Sequence, residues 1–84
     1  MAVSVNIGRG GVEISWETGD YEGPVRIKAQ NMENGDIGVV KDTNDGKHFL
    51  TWPPGTYVDE VTVYTDDETA TVIDQGVIAV SVSE

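Results

Sequence analysis

The sequence predicts an all-β domain of about seven short strands. Apolar residues recur at every second position through most of the chain, which is the pattern of strands that bury one face. Glycine, proline and asparagine interrupt this alternation at regular intervals. Thirteen valines, six isoleucines and eight threonines stand against a single leucine, and this composition favours strands over helices. We therefore expect residues 1–84 to form one domain, either a sandwich or a barrel.

The first half of the chain contains four predicted strands. Their apolar positions are Val3, Val5 and Ile7; Val12, Ile14 and Trp16; Val25, Ile27 and Ala29; and Ile37 with Val39. Asn34-Gly35 predicts a hairpin between the third and fourth strands, with a type I′ turn in which both central residues have positive φ.

The second half contains three predicted strands. In the fifth, His48, Leu50 and Trp52 alternate with Lys47, Phe49 and Thr51, and Pro53-Pro54 ends it because proline does not fit a central strand. The sixth runs from Tyr57 to Thr65, and Asp66-Asp67-Glu68 follows as a solvated turn. The seventh runs from Thr69 to Ser83, with a bulge or bend predicted at Gly76.

Composition excludes several classes of function. The 15 Asp and Glu residues against 5 Lys and Arg residues give a net charge of −10, which repels phosphate backbones and disfavours nucleic-acid binding. The absence of cysteine excludes disulfides and thiolate chemistry. The start of the chain has no secretory pattern, and no apolar run approaches a membrane span, so we expect a complete small gene product without signal peptide or membrane anchor.

The acidity has two competing explanations. One is adaptation to molar salt, where the Debye length falls to about 3 Å and surface carboxylates no longer repel one another. The scarcity of lysine beside abundant threonine and valine resembles the composition of proteins from extreme halophiles. The other explanation is solubility, or a basic partner.

Two motifs resemble the fibronectin type III family. Val12-Glu13-Ile14-Ser15-Trp16 is similar to the second strand of those domains, whose tryptophan points inward. Trp52-Pro53-Pro54-Gly55-Thr56-Tyr57 is similar to the corner before their sixth strand, although Tyr57 lies one residue early. Over roughly residues 10 to 83, the resemblance implies an immunoglobulin-like antiparallel sandwich with Greek-key order.

Residues able to carry chemistry are few. His48, the one histidine, alternates with apolar strand neighbours, which favours a packed or partly exposed residue over a general base. Asp42-Thr43-Asn44-Asp45-Gly46 and Asp66-Asp67-Glu68 offer oxygen ligands, but the first fails the calcium-loop spacing and both fit a solvated surface. Gly8-Arg9-Gly10-Gly11 lacks the dinucleotide fingerprint. We expect neither enzymatic activity nor a cofactor, and a cation site stays an open alternative.

The remaining candidates are contact residues. We expect the aromatic side chains Trp16, Phe49, Trp52 and Tyr57 to fill the core. Tyr21 is expected to be exposed in a loop and able to anchor a partner. The predicted partner contacts are Arg9, Tyr21 and the first strand, Val3, Val5 and Ile7, which pairs with a partner's sheet edge.

A small, cysteine-free sandwich without catalytic residues resembles the accessory proteins of virus particles. The leading hypothesis is therefore a capsid decoration protein or minor structural protein of a virion, with a halophilic host as one possibility. It would bind a capsid or tail protein, or copies of itself, within a larger assembly. The alternatives are a carbohydrate- or cell-surface-binding module, with Tyr21 and Tyr64 as its platform, and a small acidic regulator of a basic protein.

Overall fold

Seven strands make up the regular structure of the computed structural model, which describes residues 3–8 and 11–83. They are β1 (Ser4–Gly8), β2 (Gly11–Ser15), β3 (Val25–Asn31), β4 (Ile37–Asp42), β5 (Lys47–Leu50), β6 (Gly55–Thr65) and β7 (Val72–Val82). All strand pairs are antiparallel. The predicted all-β class and the number of strands are thereby confirmed.

The strands form two sheets around one hydrophobic core. The order is β1-β2-β5 in the three-stranded sheet and β4-β3-β6-β7 in the four-stranded sheet. The chain crosses between the sheets from β2 to β3, from β4 to β5 and from β5 to β6. The connections β2–β3, β4–β5 and β6–β7 lie together at one end of the domain, hereafter the loop end.

Both sheets contribute the inward residues of their alternation to the core. The buried apolar residues are Val3, Val12, Ile14, Trp16, Val25, Ile27, Ala29, Val61, Val63, Ile78, Val80 and Val82. Trp16 is 6% exposed, and its indole Nε1 donates a hydrogen bond to Asn44 Oδ1 at 2.8 Å. Trp52 is half-buried at the core's edge, where it packs on Tyr57. The predicted central position of Trp16 is confirmed, and Trp52 is peripheral.

The prediction that Phe49 fills the core is wrong. It pairs with Glu13 on the outward side of β2 and is 48% exposed. Its neighbours His48 and Leu50 pair with the buried Ile14 and Val12, so they occupy the inward positions of β5. Adjacent side chains of a strand point to opposite faces, and Phe49 therefore lies on the surface.

The bulge predicted at Gly76 of β7 lies at Ile73 instead. Gly76 pairs regularly with Val61, whereas the register shifts between Val63 and Tyr64, which leaves Ile73 as the extra residue of β7. A Cβ atom on Gly76 would lie 3.0 Å from the backbone nitrogen of Val3. Glycine suits this position because the chain before β1 approaches β7 closely.

The β3–β4 hairpin forms as predicted, but its turn is not type I′. Of Asn34 and Gly35, only the glycine has positive φ, 79°. The side-chain oxygen of Asn31 accepts hydrogen bonds from the amides of Glu33 and Asn34. These bonds favour a longer loop, which the Gly35 amide closes by donating to the Asn31 carbonyl at 2.9 Å.

Candidate docking face

The outward side chains of the four-stranded sheet form a continuous surface, hereafter the outer sheet face. Pairing places Gln30 between Ile37 and Glu60, and Lys28 between Val39 and Thr62. The same rows continue into β7, where Val77 lies beside Glu60 and Val72 beside Tyr64. Met32 extends this surface beyond β3, since its amide donates to the Val58 carbonyl at 2.9 Å.

Exposed apolar residues concentrate on the outer sheet face. Six large apolar side chains of the described residues are strongly exposed, and five of them, Met32, Ile37, Val39, Val72 and Val77, lie here. Val39, for example, is 48% exposed and Val77 is 57% exposed. Ile37 and Val39 lie on the edge strand β4 and Val72 and Val77 on the edge strand β7, with polar side chains of β3 and β6 between them. Exposed apolar surface on this scale marks sites of protein association.

The charge of the outer sheet face differs from that of the rest of the domain. Of the four Lys and Arg residues that the structure describes, three lie here, Arg26, Lys28 and Lys41. The one carboxylate within its rows is Glu60. In a chain of net charge −10, this face is depleted of negative charge.

Asp66 holds the loop-end edge of the outer sheet face in place. Arg26 Nε donates to Asp66 Oδ1 at 2.6 Å, and Lys41 Nζ lies 3.6 Å from Asp66 Oδ2. The hydrogen bond and the charge of Asp66 raise the pKa of Arg26 above its ordinary value. Lys28 forms no ion pair within the described part of the chain, so its ammonium group is available to a partner.

Most carboxylates lie at the loop end. Nine of the 15 are in or beside its three connections: Glu17, Asp20, Glu22, Asp42, Asp45, Asp66, Asp67, Glu68 and Asp74. Several have structural roles, since Asp67 Oδ1 accepts hydrogen bonds from Thr65, Thr69 and Ala70, and these bonds lower its pKa. Within residues 3–8 and 11–83, no group of three or more His, Asp and Glu residues is arranged to hold a metal ion.

His48 joins the two sheets. Its Nδ1 lies 2.6 Å from Asp42 Oδ2, which links the start of β5 to the end of β4. Burial raises the pKa of Asp42, but hydrogen bonds from His48 and from the backbone of Thr43 and Asp45 outweigh it, so the pKa lies below its ordinary value. The expected partly exposed strand histidine is confirmed, with a carboxylate partner that the sequence did not indicate.

Asp59 is a buried carboxylate at the opposite end of the domain. It is 6% exposed, and Asn31 Nδ2 donates to its Oδ1 at 3.2 Å. Burial raises its pKa above the ordinary value, and the bond from Asn31 offsets this in part. An ionised Asp59 therefore reduces the stability of the folded state at neutral pH.

Replacing Asp59 with asparagine is expected to stabilise the protein by about 1 kcal/mol at pH 7, because it removes a buried charge and keeps an acceptor for Asn31. Since the folded pKa of Asp59 is the higher one, the destabilisation that its charge causes disappears as pH falls through that pKa, and the two proteins converge in acid. Urea denaturation of both proteins from pH 7 to pH 3 measures this. The exposed Asp20→Asn is the control, and a less stable D59N at pH 7 would contradict the prediction.

The predicted contact residues lie in different environments. Tyr21 is half-buried against the core instead of exposed, and its carbonyl accepts a hydrogen bond from Asn44 Nδ2 at 2.7 Å. Val3 is buried in the core and Val5 packs against it. β1 is an edge strand of its sheet, so backbone pairing of Val3, Val5 and Ile7 with a partner stays a prediction. Arg9 lies outside the described residues.

The sequence did not indicate the outer sheet face. The alternation of Ile37 and Val39 predicted a strand with one buried side, but these residues pair with Gln30 and Lys28, which face solvent. β4 itself gave no signal for this orientation, because its inward positions, Gly38, Val40 and Asp42, carry less apolar surface than Ile37 and Val39.

Comparison with known proteins assigns no family to the chain, so the proposed function is argued from the geometry of the site. No protein-family model matches the chain, and no curated protein or solved structure is significantly similar to it. The described residues include no helix of the length and apolarity that crossing a membrane requires.

Proposed function

We propose that this chain is a non-enzymatic structural protein that docks onto a protein assembly through its outer sheet face. The observation that carries the proposal is the contrast between this face and the rest of the surface. It holds five of the six strongly exposed large apolar side chains and three of the four described basic residues, in a chain of net charge −10. Such a face favours apolar contacts along its two edge strands, β4 and β7, and polar contacts between them.

The proposed partner is a protein surface with two apolar strips and a carboxylate between them. Covering Val39, Ile37 and Val77 removes apolar surface from water, at about 25 cal/mol per Å². Lys28 then faces a partner carboxylate. This contact determines how the two surfaces are aligned more than how tightly they bind. A second copy of this chain fits less well, because two outer sheet faces would bring like charges together.

The assembly that we propose is a virus particle, with the chain as a capsid decoration protein or minor structural protein. The small size of the chain and its lack of recognisable catalytic residues support this setting. A halophilic host is compatible with docking by the outer sheet face. In molar salt the Debye length is about 3 Å, so repulsion between acidic proteins is screened while apolar contacts remain.

The finer fold assignment belongs to the same proposal. An immunoglobulin-like, fibronectin type III-like sandwich is supported by the division into three and four strands and by the three crossings between the sheets. It is also supported at the corner before β6, where the Tyr57 hydroxyl donates to the Pro53 carbonyl at 2.5 Å.

Co-sedimentation with virus particles from the source culture tests the proposal. We expect wild-type protein to migrate with particles and Val39→Glu to bind about tenfold more weakly or worse, because docking would bury an added charge. Ser15→Glu is the matched control, with the same charge change on the outward side of β2. Particles that lack this polypeptide, or equal binding by V39E and S15E, would overturn the proposal; thermal melts check that both variants fold.

The loop end supports a second candidate, capture of a basic protein. Nine carboxylates at one end provide a field that steers a basic partner, and this binding would weaken steeply with added salt. Docking by the outer sheet face depends far less on salt, so a salt titration separates the candidates. The adhesion alternative has less support, because Tyr21 packs against the core and is not free to form a platform with Tyr64.

A further inference from the structure

A cavity of about 250 Å³ opens at the end of the domain opposite the loop end. Its lining includes Trp52, Tyr57, Asp36, Asp59, Asn31 and Gly38. Three parts of the chain meet there: the β3–β4 hairpin, the segment before β6, and the first half of β6. Ala29 and Asp59 line the cavity from the inward side of the four-stranded sheet, and Ile37 lines it where it borders the outer sheet face.

Two carboxylates line the cavity without a cationic partner. Neither Asp36 nor Asp59 forms an ion pair with any residue in 3–8 and 11–83. Asp59 is buried, and burial raises its pKa. Two side-chain bonds fix the approach to Asp36: Asn31 Oδ1 accepts from the Asn34 amide at 3.0 Å, and Asn34 Oδ1 accepts from the Asp36 amide at 2.9 Å. These bonds fix the backbone at Asp36, and both carboxylates are left without a cationic partner.

Trp52 and Tyr57 form the aromatic part of the cavity lining. The ring centroids of Trp52 and Tyr57 are 4.9 Å apart, and their planes are inclined by 46°. The bond from the Tyr57 hydroxyl to the Pro53 carbonyl fixes the tyrosine ring. Gly38 leaves the facing wall open, since a Cβ atom added there would meet no atom within 4 Å.

We propose that this cavity binds an organic cation, a guanidinium or ammonium group. Aromatic faces attract cations through the negative charge of their π-systems, and carboxylates bind guanidinium groups through paired hydrogen bonds. A neutral ligand such as a sugar would leave the buried Asp59 without a cationic partner. The cation comes either from a free amine or from an arginine or lysine side chain of another protein.

A titration followed by the indole signals of the two tryptophans in an ¹H–¹⁵N spectrum tests this proposal. The probes are N-acetyl-arginine amide, which represents a protein side chain, and tetramethylammonium chloride, which represents a free amine. We expect at least one of them to shift the Trp52 signal saturably at millimolar concentrations. The Trp16 signal should stay in place, since its Nε1 is bound to Asn44 at the loop end, away from the cavity. The tighter probe identifies the source of the cation.

Four variants separate binding from folding. Asp59→Asn and Asp36→Asn should each weaken binding about tenfold, whereas Asp20→Asn, with the same charge change at the loop end, should not. Gly38→Ile should abolish binding by filling the cavity while the protein keeps its melting temperature, because β-branched residues suit a strand. Since D59N is expected to stabilise the protein, its loss of binding would not result from unfolding.

The neutral analogue N-acetyl-citrulline amide provides the decisive comparison, because it keeps the shape of the arginine probe and lacks its charge. We expect no saturable shift with this analogue or with glucose. Equal binding by the citrulline and arginine probes, unchanged binding by folded G38I, or no shift of Trp52 with either cation would overturn the proposal. These outcomes leave docking by the outer sheet face unaffected, because Val39→Glu tests that surface separately.

Discussion

Replacing Asn44 with alanine is expected to lower the free energy of unfolding by about 3 to 5 kcal/mol. Its Oδ1 accepts the hydrogen bond from Trp16 Nε1, and its Nδ2 donates to the carbonyls of Thr18 and Tyr21 at 3.2 Å and 2.7 Å. Alanine leaves the buried indole donor without a partner, which costs about 1 to 3 kcal/mol by itself. It also places a side chain that lacks asparagine's local hydrogen bonds at a φ of 62°.

Urea denaturation of wild-type and Asn44→Ala proteins measures this loss. Asn44→Gly separates the two causes, because glycine accepts positive φ and should recover about 1 kcal/mol relative to alanine. Trp16→Phe removes the donor itself, so the double variant W16F/N44A should lose less than the sum of the single variants. A loss below about 1 kcal/mol in N44A would show that the side chain does not hold the loop.

Replacing Gly11 with alanine is expected to destabilise the protein by about 3 kcal/mol or more. The added Cβ atom would overlap the carbonyl oxygen of Leu50 and lie 2.9 Å from the ring atom Cζ of Phe49. The ring can turn away, since Phe49 is on the surface, but the carbonyl belongs to β5, which pairs with β2 at Val12 and Leu50. Relief therefore requires these strands to separate, with loss of their hydrogen bonds.

The matched control for G11A is Gly38→Ala, since a Cβ atom at Gly38 meets nothing within 4 Å. The control should be neutral or slightly stabilising, because alanine reduces the entropy of the unfolded chain. Thermal and urea denaturation of both variants give the comparison. Equal stability of G11A and G38A would mean that β2 and β5 are not in close contact at this point.

The strand pattern was predictable because it is local. Alternation within Val12-Ile14-Trp16 and within Val61-Val63 identifies one side of each strand as apolar, and those sides face the core. The separate expectation that aromatic side chains fill the core failed where both sides of a strand offered a plausible core face. In β5, Phe49 has the larger apolar side chain, yet His48 and Leu50 occupy the inward positions because they pair with Ile14 and Val12.

The candidate sites were much less predictable, because each depends on pairs of residues far apart in the chain. The outer sheet face needs the register that sets Val39 beside Lys28 and Val77 beside Glu60. The cavity needs Asp36 in a hairpin to approach Trp52 and Asp59. No spacing in the sequence encodes these contacts.

The sequence by itself determined the strands and the buried position of Trp16, because strand alternation depends on residues that are close together in the chain. Composition alone determined the net negative charge. Only the tertiary structure decided which apolar side chains stay in water and which carboxylates share a cavity. The reason is that each strand has two faces, and packing against the other sheet covers one of them. For β4, the open side carries Ile37 and Val39.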